Sequence, residues 1–72
     1  PQHGIYMYAR TNSGKTELIV LNSTDAEQVV ANDHYRIMTN DSKSGKELIS
    51  GKKIDLTKNM TVGARQSLII EL

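Results

Sequence analysis

Short runs of strand-forming residues alternate with turn residues along the whole sequence, and this spacing most constrains the fold. Residues 5–11 alternate between two faces, and Asn12-Ser13-Gly14 form a turn into a second run at residues 16–21. Further short runs follow at residues 27–31, 47–50, 53–56, 60–62 and 66–72, and residues 35–39 are expected as a weaker strand or an irregular edge. No window has the 3.6-residue periodicity of a helix over sufficient length. About seven or eight strands at this spacing predict an all-β fold, a small antiparallel β-sandwich.

The chain is too short to bury a large hydrophobic core. Its 72 residues predict one domain, residues 1–72, and a domain of this size buries only about 60% of its unfolded surface. Small domains are usually stabilised by disulfides, by a metal or by a partner. The sequence contains no cysteine. We therefore expect that the domain is part of a larger protein and docks on it.

Two predicted strands carry apolar side chains on both faces. Residues 18–21 read Leu-Ile-Val-Leu and residues 68–70 read Leu-Ile-Ile. Because neighbouring residues of a strand point to opposite faces, both faces of these strands require cover. A sandwich covers only one of them, so the other face is expected to meet a second domain. The candidate docking residues are Leu18, Val20, Leu68 and Ile70.

The charge balance excludes several partner classes. The sequence contains nine Lys and Arg and eight Asp and Glu, which gives a net charge of +1. This charge is too small to attract a nucleic acid. The sequence has no apolar run of about 18 residues, so no membrane span is predicted. These features leave the cellular location open.

Residues that could carry chemistry lack the necessary context. Gly14-Lys15-Thr16 matches only the end of a phosphate-binding loop, and a strand is predicted after it where a helix is required. Asp25 and Glu27 are the one pair of acids that could share a face, but so small a chain offers no cleft to separate their pKa values. His3 and His34 have no nucleophile or metal ligand at a recognisable spacing. No catalytic residue, metal site or cofactor is predicted.

The three tyrosines are the only aromatic residues. Tyr6 and Tyr8 are two residues apart and therefore share a face, where their rings could stack on sugars. Tyr35 is a third candidate for contact with carbohydrate. Packing within the domain or against a neighbour explains the same residues, because aromatic side chains are favoured in strands.

Several segments in a fixed order resemble one known family. Residues 4–10 (GIYMYAR), a turn, and residues 15–23 (KTELIVLNS) resemble the opening hairpin of the C-terminal domain in the cyclomaltodextrinase and neopullulanase branch of the α-amylase family of glycoside hydrolases. Residues 45–52 are similar to a later hairpin of that domain, and residues 56–57, 60–62 and 67–72 to its closing segments. Met7 and Ala9 depart from the pattern, in which bulkier residues are common.

The resemblance implies an accessory role. In this family the catalytic Asp, Glu and Asp lie on a (β/α)₈ barrel, so no catalytic residue carries over to this chain. The C-terminal sandwich packs on the barrel, and the parent enzyme acts on α-1,4-glucosidic bonds of α-glucans, cyclodextrins or pullulan. The implied parent is a bacterial enzyme, either periplasmic or cytoplasmic.

Three hypotheses remain open at this point. The domain docks on a glycosidase barrel, or it binds α-glucan through its tyrosines, or it is a free-standing scaffold. Titration with maltooligosaccharides distinguishes the first two hypotheses, and the reading frame around the sequence distinguishes the first from the third.

Overall fold

The structure, a computed structural model, describes residues 3–72, with Asn12 described by its backbone alone. Within these residues the elements in chain order are β1 (Ile5–Asn12), β2 (Lys15–Asn22), β3 (Gln28–Val30), α1 (Asn32–Tyr35), β4 (Ser44–Glu47), β5 (Lys53–Asp55), β6 (Met60–Val62) and β7 (Ser67–Glu71). The strands form a five-stranded sheet in the order β1-β2-β7-β4-β5 and a two-stranded sheet of β3 and β6. All pairings are antiparallel. The predicted all-β sandwich is confirmed.

The β1–β2 hairpin turns at the residues that the sequence indicates. Asn12 pairs with Lys15, which leaves Ser13 and Gly14 as a two-residue loop. Both have positive φ, 53° and 80°, as the type I′ turn requires. This turn fits the right-handed twist of the two strands that it joins. Because β2 and not a helix follows Gly14, the Gly-Lys-Thr triplet is part of a hairpin and not of a phosphate-binding loop.

The core lies between the inner faces of the two sheets. Antiparallel register places Leu18 opposite Ile70 and Val20 opposite Leu68, and all four side chains are buried. The remaining buried apolar residues of the core are Ile5, Val30, Tyr35, Leu56, Met60 and Val62. Burial of such a side chain contributes about 1.5–3 kcal/mol, so this single layer accounts for most of the apolar stabilisation.

A buried asparagine joins the two sheets. Asn22, at the end of β2, is fully buried. The two N–H groups of its Nδ2 are shared among the carbonyl oxygens of Ala26 (2.9 Å), Val62 (3.2 Å) and Gly63 (3.0 Å). Its Oδ1 accepts the backbone N–H of Thr24 at 2.9 Å and the Thr24 hydroxyl at 2.7 Å. The amide therefore fastens the end of β2 to the end of β6 with every polar atom satisfied.

Residues 35–39, expected as a weaker strand or an irregular edge, form no strand, because this segment contains the end of α1 and a series of turns. A strand would place Tyr35, Ile37 and Thr39 on one face. Helical spacing instead buries Tyr35 and Thr39, four residues apart, and leaves Ile37 85% exposed. The Tyr35 hydroxyl donates to the carbonyl of Lys58. Burial of this ring and its hydrogen bond override the strand pattern.

The strand predicted over residues 47–50 is displaced along the chain. The structure has β4 at Ser44–Glu47, and residues 48–50 form a turn. The Glu47 carboxylate accepts the backbone N–H groups of Ile49 and Ser50, at 3.2 Å and 2.7 Å. These bonds close the chain on itself directly after Glu47 and end the strand there.

Candidate functional site

The outer face of the five-stranded sheet, which points away from the two-stranded sheet, carries a cluster of apolar side chains. The register places Tyr8 opposite Ile19, and Ile19 opposite Ile69, in one row across β1, β2 and β7. Tyr6 lies opposite Leu21 in the adjacent row. Because opposed residues in antiparallel strands share a face, these five side chains form one cluster, here called the apolar patch.

Much of the apolar patch is open to solvent. Tyr6 is 61% exposed, Tyr8 53% and Leu21 40%, and the other two members are half-buried. The outer face of the two-stranded sheet differs, because its one apolar side chain among the residues of β3 and β6 is Val29, opposite Thr61. The outer face of the large sheet thus carries five apolar side chains and that of the small sheet one, which makes the large sheet the better candidate for contact with a neighbour.

A row of charged side chains borders the apolar patch. Glu17 lies directly opposite Glu71, a like-charge pair that is unfavourable alone. Arg10 Nε lies 2.9 Å from Glu17 Oε1, and Lys15 Nζ lies 3.4 Å from Glu71 Oε1. Lys46 is opposite Glu71 on its other side. The two carboxylates are therefore neutralised by cations, and the border of the patch is polar without a strong charge of either sign.

The four predicted docking residues are located inside the domain. These residues, Leu18, Val20, Leu68 and Ile70, are 0–6% exposed and form the domain's own core. The prediction that they present a docking surface is therefore wrong. The apolar runs do have two apolar sides, but the register turns these four inward. Their sequence neighbours in the apolar patch occupy the outer face.

The three predicted carbohydrate contacts separate into two groups. Tyr6 and Tyr8 share the outer face and expose more than half of their surface. Tyr35 is fully buried in the core, where its hydroxyl is bonded to a backbone carbonyl, so it cannot meet a ligand. The prediction for Tyr35 is wrong, because its ring points from α1 into the hydrophobic core.

The acid Asp25 and the two histidines, considered above for chemistry, lie at the surface of the domain. Asp25 Oδ1 accepts from Arg65 Nε at 2.8 Å, and both side chains are exposed. His3 and His34 are exposed. Over residues 3–72 there is no group of three or more His, Cys, Asp and Glu that could hold a metal ion. No helix in this part of the chain has the length and apolar character to cross a membrane.

Sequence reasoning missed Glu47, a buried carboxylate at the end of β4. It is 3% exposed and accepts the backbone N–H groups of Ile49, Ser50 and Ile69. Burial alone would raise its pKa, but the three backbone bonds and the Ser50 hydroxyl outweigh burial and lower the pKa to about 2. An acid three residues before the Ser50-Gly51 turn is the local signal, because such a side chain can accept the N–H groups of the residues two and three positions after it.

The comparisons with known proteins agree with this architecture. The family model described as "Cyclo-malto-dextrinase C-terminal domain" matches residues 1–71. No curated protein matches the sequence significantly. The crystal structure of β-galactosidase from Bacillus circulans sp. alkalophilus contains a similar fold, with a TM-score of 0.70 and 23% identity, over 94% of this chain and 9% of that chain. That likeness supports the fold alone. The match over nearly the whole sequence shows that the chain belongs to the family of cyclomaltodextrinase C-terminal domains.

Proposed function

We propose that this chain is the non-catalytic C-terminal domain of an α-amylase-family glycoside hydrolase. In this proposal the apolar patch packs on the catalytic (β/α)₈ barrel of the same polypeptide and stabilises it. The observation that carries the proposal is the apolar patch itself, in which three adjacent strands expose tyrosine and aliphatic side chains on one face. Burial of such a patch is favourable by roughly 25 cal/mol per Å² of apolar surface.

Two further findings support a partner in the same polypeptide. The family is named as a C-terminal domain, and a similar fold occurs as 9% of a longer glycosidase chain. By analogy with the family, the parent enzyme would hydrolyse α-1,4-glucosidic bonds in cyclodextrins, α-glucans or pullulan. The docking domain would contribute stability to the barrel and no group to the reaction.

Cysteine labelling tests the docking. The chain has no cysteine of its own, so a single introduced cysteine reports the solvent accessibility of its own position. In the full-length polypeptide, Leu21→Cys on the apolar patch is expected to react slowly with a thiol reagent. Val29→Cys is the matched control, because Val29 is 52% exposed on the opposite side of the sandwich and is expected to react fast. Equal, fast reaction at both positions would show that nothing covers the apolar patch.

Binding of α-glucan through Tyr6 and Tyr8 is the second candidate. The observation in its favour is that both rings are more than half exposed on one face, at alternate positions of an edge strand. Two adjacent rings suit sugar stacking. Docking and sugar binding would use the same surface, so they exclude each other. Saturable changes in the tyrosine signals on titration with maltooligosaccharide, abolished by Tyr8→Ala, would favour binding, and their absence favours docking.

A further inference from the structure

The turn after β4 presents two apolar side chains at the surface. Ile49 is 68% exposed and Leu48 is 40% exposed; the two residues together are here called the tip. Residues of a surface turn are normally polar, because water satisfies both their side chains and their backbone. An apolar tip on a small domain is therefore a candidate anchor for a partner.

The tip is held firmly against β7. Glu47 Oε2 accepts the N–H groups of Ile69 at 3.0 Å and of Ile49 at 3.2 Å, and Oε1 accepts that of Ser50 at 2.7 Å. The Leu48 N–H donates to the Ile69 carbonyl at 2.8 Å. One buried carboxylate thus joins the turn that carries the tip to the central part of the large sheet. A preformed turn loses little conformational entropy on binding, which favours an anchoring role.

The tip is continuous with the apolar patch. Lys46 pairs with Glu71 and Glu47 with Ile70, so the same register continued by one residue places Leu48 beside Ile69. Ile69 is a member of the apolar patch. The row that begins at Tyr8 on β1 therefore extends across β7 to the turn after β4, and any neighbour that covers the patch also meets the tip.

The surroundings of the tip are basic. Lys46, Lys52 and Lys53 adjoin the turn, because Lys46 pairs with Lys53 across β4 and β5, and the acids beside them are Glu47 and Glu71. One of the two acids, Glu47, is buried under the turn and fully engaged with backbone N–H groups. Lys46 and Lys52 are exposed on either side of the turn. The charge complement of this region is an acidic surface.

We propose that the tip inserts into an apolar pocket with an acidic rim on the catalytic domain of the same polypeptide, with Glu47 as the positioning residue. This inference rests on the proposed docking function and names the anchor of that interface. Ile49 fills the pocket, Leu48 bridges to the apolar patch, and the lysines around the turn meet the carboxylates of the rim. Glu47 touches no partner atom and acts by holding the turn.

An isosteric amide cannot replace the carboxylate of Glu47. The side chain of Gln has one oxygen to accept N–H groups, and its NH₂ group would oppose a backbone donor. Glu47→Gln therefore leaves one of the three N–H groups without a partner and loosens the turn. The size of the side chain is unchanged, so the variant tests the positioning role when a reporter in the core shows that the domain stays folded.

Single cysteines in the full-length polypeptide test the tip directly. Ile49→Cys is expected to react with a thiol reagent about tenfold more slowly than Val29→Cys, although Ile49 is the more exposed of the two in this domain. Protection at Leu21→Cys together with fast reaction at Ile49→Cys would overturn the anchor and leave the docking function standing. Fast reaction at both positions would overturn both.

The role of Glu47 is tested by adding Glu47→Gln to each cysteine variant. Labelling at Ile49→Cys is expected to accelerate about tenfold, while Val20→Cys in the core stays protected. The core reporter shows that the domain remains folded; if it became reactive, Glu47→Asp, which keeps a carboxylate, is expected to restore protection at Val20→Cys and at least part of it at Ile49→Cys. An unchanged rate at Ile49→Cys in both Glu47 variants would overturn the positioning role.

The acidic rim gives a separate readout. High salt screens charge pairs at the edge of an interface and has little effect on apolar contacts. Raising the salt concentration is therefore expected to speed labelling at Ile49→Cys more than at Leu21→Cys, and Lys52→Gln is expected to remove part of that salt dependence. Equal responses at both positions would overturn the acidic rim.

Discussion

The Glu47 carboxylate lies 3.0 Å from the backbone nitrogen of Ile69, so a buried anion joins the turn after β4 to the middle of β7. Strand pairing between β4 and β7 covers only two residue pairs, Lys46 with Glu71 and Glu47 with Ile70. The hydrogen bond from the Ile69 N–H to the Glu47 carboxylate adds a connection between β4 and β7, where few backbone pairs join them. The attachment of β4 and β5 to the rest of the large sheet is therefore strengthened by one ionised group.

Acidification is expected to destabilise the domain through Glu47. Its pKa is lowered from an ordinary value of 4.5 to about 2, so the folded state binds fewer protons than the unfolded state between these values. The stabilisation is complete above about pH 5 and is lost as the pH falls toward 2. Its size is about 3 kcal/mol. Asp55, whose pKa is lowered by bonds from Thr57, acts in the same direction.

Urea unfolding of the wild-type chain and of Glu47→Gln between pH 7 and pH 2 measures this effect. The variant is less stable at pH 7, and the gap in unfolding free energy is expected to close as the pH falls. A gap that stays constant down to pH 2 would contradict the assignment of a low pKa to Glu47.

Removal of the Asn22 amide is expected to separate the two sheets. Asn22→Ala leaves the Thr24 N–H and the carbonyls of Val62 and Gly63 without their buried partner. Each lost buried bond costs about 1 kcal/mol or more, so a loss of roughly 3 kcal/mol is expected. Asn40→Gly is the control, because Asn40 is exposed with φ of 53°, a value that glycine adopts easily. Chemical unfolding that shows equal losses for both variants would argue against this role of Asn22.

Local turn chemistry explains which parts of the fold could be predicted from sequence. The Ser13-Gly14 turn requires positive φ, and the residues on both sides alternate regularly, so the β1–β2 hairpin was predictable. The segment after β3 was not, because a buried tyrosine and its bond to a distant carbonyl decide its conformation. Contacts between remote parts of the chain leave no local pattern.

The choice of face explains why the docking residues could not be predicted. A strand that is apolar on both sides indicates that two surfaces need cover, but the pattern is symmetrical and does not say which side becomes the core. In β2 this choice depends on where the two-stranded sheet packs, which buries Leu18 and Val20 and leaves Leu21 outside. The sequence thus correctly predicted that these strands are apolar on both sides. The side predicted to dock on a neighbour is the one that forms the core.

A methyl group added to Gly45 is expected to disrupt the junction of β4 and β7. A Cβ at this position would lie 2.6 Å from Ile70 Cγ2 and 2.9 Å from the carbonyl oxygen of Glu71, and a backbone atom cannot easily move away. Gly45→Ala is expected to cost about 1–3 kcal/mol. In Gly63→Ala, the control, the closest atom is the flexible end of Gln66 at 3.1 Å, so a smaller loss is expected. A comparison of thermal midpoints tests the difference, and equal midpoints would mean that the β4–β7 junction adjusts freely.

Truncation of neighbouring leucines in β2 is expected to distinguish the two faces of the sheet. Leu18→Ala creates a cavity in the core and is expected to cost about 2–5 kcal/mol in the 72-residue chain. Leu21→Ala removes a side chain that is 40% exposed and is expected to cost less than about 1 kcal/mol there. In the full-length polypeptide the proposed docking predicts a larger loss for Leu21→Ala, because docking would bury the same side chain against the catalytic domain. Urea unfolding of both variants in both contexts measures the change, and a loss for Leu21→Ala that is the same in the two contexts would contradict docking through the apolar patch.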